Sequence, residues 1–177
     1  EEIYARIGKE SNQADALYWL GTVQRRQSKY ADATSSYTRA EEIYARVGKE
    51  SNQADALYGL GEVQRLESKY ADATSSYTRA EEIYARIGPE TDQAIALYRL
   101  GMVQRLESKY ADATSSYTRA EEIYARIGKK SNQADALYWL GEAQRLESKY
   151  ADAISSYTRA EEIYARVGKE SNQADAL

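Results

Sequence analysis

Histidine and cysteine are both absent from the 177 residues. The chain therefore has no Ser-His or Cys-His nucleophile pair, no disulfide framework and no ordinary zinc site. Chemical capacity is left to carboxylates, arginines, 17 tyrosines and two tryptophans. Paired carboxylates, which can do general acid–base work, stand at Glu1-Glu2, Glu41-Glu42, Glu81-Glu82, Glu121-Glu122 and Glu161-Glu162. Their recurrence in strict register reads as a solvated, salt-bridged face. No glycine-rich phosphate loop appears, because nine of the ten glycines sit at repeated positions and only Gly59 does not. Neither an enzyme nor a cofactor is expected.

Recognition chemistry is better supplied. Trp, Tyr and Arg are the residue types that dominate interface energetics, and they lie in a sequence that is otherwise one unit copied. Glu1–Ala40, Glu41–Ala80, Glu81–Ala120 and Glu121–Ala160 are near-copies of 40 residues, and Glu161–Leu177 begins a fifth. In the first half of the unit, changes of chemical class fall at four positions. These are Asp15, Asp55, Ile95 and Asp135; Trp19, Gly59, Arg99 and Trp139; Thr22, Glu62, Met102 and Glu142; and Arg26, Leu66, Leu106 and Leu146. Their steps of four, three and four residues place them within roughly a 60° arc of a helix. Unvaried Tyr18, Tyr58, Tyr98 and Tyr138 flank the arc, with Arg25, Arg65, Arg105 and Arg145.

Two helices per unit must position these side chains. Gly8 and its copies offer a left-handed helix stop. Ser11 or Asn12 offers an N-cap for the next helix, which runs to about Gln27. Ser28-Lys29 makes a turn with Ser28 as a cap. The second helix carries Tyr30, Ala33, Tyr37, Ala40 and Tyr44 on one stripe, up to the stop at Gly48. Glu42 and Arg46 are spaced for an i,i+4 pair worth a few tenths of a kcal/mol. The only proline, Pro89, follows Gly88 in an interhelix loop, where it costs no helix bond. The expected organisation is a single array over 1–177. Residues 1–7 form a partial second helix, 12–47, 52–87, 92–127 and 132–167 form helix pairs, and 172–177 form a partial first helix. A period of 40 without strand alternation points to an all-α stack of antiparallel helix pairs, an α-solenoid.

Leu20-Gly21, Tyr30, Ala33, Tyr37 and Ala40, repeated in phase in all four units, resemble the tetratricopeptide repeat. The 40-residue period is similar to the longer variety found in kinesin light chains and in sensor arrays of NLR-like proteins. The resemblance implies a right-handed superhelix whose first helices line a concave groove for a peptide or partner helix. It implies that the arc and its flanking Tyr and Arg residues form the ligand groove. The familiar carboxylate clamp for chaperone tails needs Lys and Asn on this face. Asp15, Glu62 and Glu142 stand there instead, so that ligand is not expected.

Two alternatives stay open. The varied residues can be drift on a solvated face, with Trp19 and Trp139 merely covering the neighbouring repeat. The array can also associate head to tail as a structural element, because Ile3, Tyr4 and Leu177 are expected to be partly bare at ends without capping helices. The absence of an initiator Met favours the ordered core of a longer protein instead.

Composition limits the partners. A net charge of −4 with no long like-charge block argues against nucleic acid or a polybasic membrane contact. No apolar run approaches a membrane span. The absence of Cys and of glycosylation sequons fits an intracellular, cytoplasmic setting. Leu, Ile and Val supply only about 15% of the chain, a fraction that usually flags disorder. The alanines and tyrosines must then build the core through close helix approach.

Overall fold

In the computed structural model the backbone is described for residues 2–174 and the side chains for residues 6–168. The described residues form eight helices: α1 Glu2–Arg26, α2 Tyr30–Val47, α3 Glu50–Leu66, α4 Tyr70–Ile87, α5 Glu90–Leu106, α6 Tyr110–Arg126, α7 Lys130–Leu146 and α8 Tyr150–Ala174. They group into two compact units, Glu1–Pro89 with α1 to α4 and Glu90–Leu177 with α5 to α8. Within each unit successive helices pack on one another. Turns of two or three residues force neighbours to run antiparallel.

One backbone motif closes most of the helices. At the end of α2 the Lys49 N–H reaches the Tyr44 carbonyl at 2.9 Å and the Gly48 N–H reaches Ala45 at 3.3 Å. Gly48 has φ 75°, so this is a Schellman turn. The same pair of bonds ends α1, from Lys29 to Gln24 and from Ser28 to Arg25. There the left-handed residue is Ser28, at φ 58°, and Ser68, Ser108 and Ser148 repeat it at 60°, 61° and 62°. Ser28 is thus a C-terminal turn residue rather than the expected cap. Ser11 and Asn12 are not caps either. The internal first helices begin at Glu50 and Lys130, behind Lys49 and Lys129, which make no side-chain cap bond. Gly88 departs from the pattern with φ −105° and ψ 176°, because the residue before a proline is driven to extended backbone.

The expected breaks at Gly8 and Gly168 do not occur. α1 runs through Gly8 and α8 through Gly168, so residues 2–7 extend α1 and 172–174 extend α8. A glycine permits a helix stop but does not compel one; inside a helix it costs only about 1 kcal/mol. The stop at Gly48 is selected because α2 and α3 pack across it. The pair to which residues 2–7 would belong has no first helix within the 177 residues. The side chains of Ile3, Tyr4 and Leu177, on which the head-to-tail expectation leaned, lie outside the described residues.

The core is built from alanine, leucine and tyrosine. Tyr37, Tyr44, Tyr77 and Tyr117 are among the largest fully buried side chains. Their rings occupy space that glycines leave open: a Cβ on Gly61 would stand 2.8 Å from the Tyr77 ring, and one on Gly101 3.0 Å from Tyr117. In the first unit Tyr37 lies against both Gly21 and Gly59, where added carbons would come within 3.1 and 2.7 Å. Packing this close is what makes the low Leu+Ile+Val content workable.

Polar staples lock the helix pairs. Buried Ser36 donates to Gln24 at 2.7 Å, and Ser76, Ser116 and Ser156 repeat the bond to Gln64, Gln104 and Gln144. Nearly buried Glu41 accepts from Gln53 at 2.8 Å and from Arg79 at 2.7 Å. Glu121 does the same with Gln133 and Arg159. Arg46 pairs with Glu10 at 3.0 Å, on the neighbouring helix, rather than with Glu42 on its own. Arg86–Glu50 and Arg126–Glu90 follow suit. Where the register partner is Lys130, Arg166 meets Glu162 at i,i+4 and 3.7 Å. These exposed pairs are worth under about 1 kcal/mol each.

Candidate ligand face of the first helices

The four varied positions do share a helix face, but much of that face is turned onto other helices. Asp15 accepts the Tyr44 hydroxyl at 2.6 Å and Asp55 that of Tyr84 at 2.6 Å. Asp135 accepts from Tyr164. Ile95 replaces this bond with apolar packing against the Leu97, Ile123 and Tyr124 cluster. Burial, then the Asp15 carboxylate, hold the Tyr44 hydroxyl well above the ordinary phenol range.

At the next position three of the varied residues meet the second-helix tyrosine of their own pair. Thr22 exchanges a 3.0 Å bond with the Tyr37 hydroxyl. Glu62, itself buried, accepts from Tyr77 at 2.5 Å and pairs with Arg65 at 3.1 Å. Glu142 accepts from Tyr157 and pairs with Arg145 at 2.9 Å. Hydrogen bonds from Arg145 and then from Tyr157 hold the Glu142 carboxyl below its usual range. In the third repeat the residue is Met102, and the buried Tyr117 hydroxyl finds no acceptor, with the Arg105 cation acting on it instead.

Trp19, Gly59, Arg99 and Trp139 meet different surroundings. Gly59 is buried against Tyr37. Trp139 is half-buried, beside the Tyr117–Leu137 cluster, with the Arg105 guanidinium 4.7 Å above its ring. Within the second unit it packs against the preceding helix pair. Trp19 is 64% exposed and meets Tyr18 edge-on. Arg99 is half-buried.

The remaining residues are more open. Arg26 is exposed, Leu66 and Leu106 are exposed, and Leu146 is half-buried. Tyr18, Tyr58 and Tyr98 are half-buried and Tyr138 is exposed. Their rings stand 5.7 to 5.8 Å from Tyr37, Tyr77, Tyr117 and Tyr157. Arg25, Arg65 and Arg105 are half-buried beside them and Arg145 is exposed.

The sequence reading missed Tyr37, Tyr77, Tyr117 and Tyr157 as partners of the varied positions. A signal existed: the acidic or hydroxyl residue at 22, 62 and 142 always lies 15 residues before a tyrosine whose hydroxyl needs an acceptor once buried. Among the described residues no helix is long and apolar enough to cross a membrane, and no three acidic side chains gather as a metal site.

Comparison with known proteins agrees with this architecture. The Tetratricopeptide repeat family matches residues 12–86 and 92–166. Similar solved structures include BtubC (BKLC) from P. vanneervenii, with TM-score 0.80 and 20% identity over 88% of this chain and 64% of that one. The apo form of RapI has TM-score 0.82 and 16% identity, over 89% of this chain and 44% of that one. MamA has TM-score 0.73 and 19% identity, over 94% and 86%. The chain thus spans under two thirds of the first two structures, and identities this low speak for the fold alone. No curated protein matches at the sequence level.

Proposed function

The chain belongs to the tetratricopeptide repeat family, an all-α solenoid of helix pairs, and from that premise we propose that it is a protein-interaction scaffold. Its ligand is a peptide or partner helix, received on the faces of the first helices: α1 and α3 in one unit, α5 and α7 in the other. The observation that carries this reading is the row of accessible aromatic and arginine side chains on those helices. Trp19 and Tyr18 serve in the first unit, and Tyr98, Tyr138, Arg99 and Arg145 in the second. Aromatic and arginine groups already held by neighbours lose little conformational freedom when a ligand arrives, which favours binding. Thr22, Glu62 and Glu142 set the shape of the face from beneath rather than touching ligand.

The test is selection of peptides from a displayed random library on the intact chain. Arg99→Ala and Tyr138→Ala should each weaken peptides held by the second unit, and Trp19→Ala those held by the first, by about tenfold or more, with circular dichroism unchanged. Wild-type affinity in all three variants would remove the reading.

A second reading rests on a contrast between two copies of one position. Trp139 is packed within its unit, whereas Trp19 is exposed together with Leu20 and Val23, at 47% and 51%. Helix α8 exposes Tyr150 and Ile154, at 62% and 66%. Apolar patches of this kind pair copies of a chain in a heterologous contact. Light scattering across a hundredfold concentration range should then show growth that Trp19→Ser and Ile154→Thr abolish. A monomer throughout removes it.

A further inference from the structure

The third repeat keeps the arginine and tyrosine of a carboxylate site while lacking its carboxylate. In the second repeat Glu62 accepts from Tyr77 at 2.5 Å and from Arg65 at 3.1 Å. In the fourth, Glu142 joins Tyr157 and Arg145 in the same way. The first repeat has no glutamate here, but Thr22 meets the Tyr37 hydroxyl at 3.0 Å. Only the third, among the described residues, gives the hydroxyl no acceptor: Met102 cannot accept strongly, and Arg105, the cation that acts on the buried Tyr117 Oη, can only donate. Arg105 Nε is also buried without an acceptor. The Nε atoms of Arg25 and Arg65 share that state, so it is the combination with a tyrosine lacking an acceptor that sets this repeat apart.

We propose that Tyr117 and Arg105 receive the carboxylate of a bound ligand, in the place that Glu62 fills for the second repeat and Glu142 for the fourth. This rests on the interaction-scaffold reading and names the chemistry its ligand carries. A buried hydroxyl without an acceptor is destabilising, and an incoming carboxylate removes that penalty while gaining a charge-assisted bond from Arg105. Met102 and Arg105, at the helix positions of Glu62 and Arg65, are half-buried and unbranched. A thioether chain repacks at low cost. Arg105 rests over the Trp139 ring at 4.7 Å, which makes the indole a reporter of any change at the guanidinium. The site differs from the Lys–Asn clamp, since its donors are a second-helix tyrosine and a first-helix arginine.

The probes are N-acetyl-L-glutamate α-amide, which offers a side-chain carboxylate, N-acetylglycine, which offers a terminal one, and N-acetyl-L-glutamine α-amide, a neutral control. Nuclear magnetic resonance of the intact chain reads the Arg105 Nε–H and Trp139 indole N–H signals. At least one acid should shift both signals saturably and the control should shift neither. Whichever acid binds more tightly identifies the source of the carboxylate. Tyr117→Phe should weaken binding by about tenfold. Met102→Glu supplies the internal carboxylate that the second and fourth repeats already tolerate, and it should abolish the shifts. Shifts that never saturate, that persist in Met102→Glu, or that appear equally at Arg25 Nε–H overturn the proposal. The two readings fail separately. Selected peptides that bind wild type and Met102→Glu alike keep the scaffold and remove the carboxylate. Saturable acid shifts with no selectable peptide do the reverse.

Discussion

Tyr77 donates its hydroxyl to Glu62 at 2.5 Å between α4 and α3, in a place where both side chains are buried. A residue that varies between repeats is therefore part of the structural joint of its helix pair. Variation at this position changes what answers a buried tyrosine, with Thr22, Glu62, Met102 and Glu142 as four answers of different polarity. Binding capacity and stability are coupled there.

Glu62→Met reproduces the third repeat's situation in the second. It should destabilise the chain by about 2 kcal/mol, because Tyr77 loses its acceptor and Arg65 its partner. Adding Tyr77→Phe should cost little more, since the unanswered hydroxyl leaves with it. Urea unfolding of the single and double variants measures the coupling, and additive losses would contradict it.

Glycines should respond in opposite directions. Gly61→Ala puts a carbon 2.8 Å from the Tyr77 ring and should cost about 1–3 kcal/mol through overpacking. Gly8→Ala meets nothing within 4 Å inside a continuous helix, and should stabilise by up to about 1 kcal/mol. Thermal midpoints read both; if Gly8→Ala destabilises, the helix does not run through residue 8.

The four serines at positive φ store strain that glycine relieves. Ser68→Gly or Ser148→Gly should raise stability by about 0.5–1 kcal/mol, the left-handed penalty less the extra freedom of the unfolded glycine. Ser68→Val should lower it, since a β-branched residue resists that conformation. Denaturant midpoints at constant slope separate the two outcomes.

Stability should fall at both ends of the pH scale. Glu142 titrates below its ordinary value of 4.5 when folded, so its contribution is present above that value and disappears as pH drops through the folded one. Glu142→Gln should flatten the acid limb. Tyr157 is pushed up from 10.0 to about 12, by burial first and then by Glu142. Its contribution is intact below pH 10 and is lost as pH rises from there towards 12, because the unfolded chain releases the proton first. Tyr157→Phe should flatten the alkaline limb in unfolding followed by circular dichroism.

The helix pairs were legible because the sequence states them four times, with glycine spacing, the tyrosine–alanine stripe and the short turns in phase. Periodicity also placed Asp15, Trp19, Thr22 and Arg26 on one face. It could not say what stood opposite, since a helical angle carries no information about the neighbour. Hence the spacing puts Asp15 and Thr22 on a ligand face, whereas Tyr44 and Tyr37 hold them. The same limit applied to the turns. Gly48 and Gly8 are identical letters, and only the helix packed across the first decides that it stops. Serine's intrinsic preference points to caps, so its type does not signal the left-handed position that Ser28 and its copies occupy.

Hydrogen–deuterium exchange of the intact chain, with and without a library-selected peptide, reads where ligand is received. If the first helices receive it, protection increases within α1, α3, α5 or α7, including signals near Tyr98, Arg99 and Tyr138 for a peptide held by the second unit, while the second helices α2, α4 and α6 stay unchanged. Protection confined to those second helices means that ligand binds elsewhere.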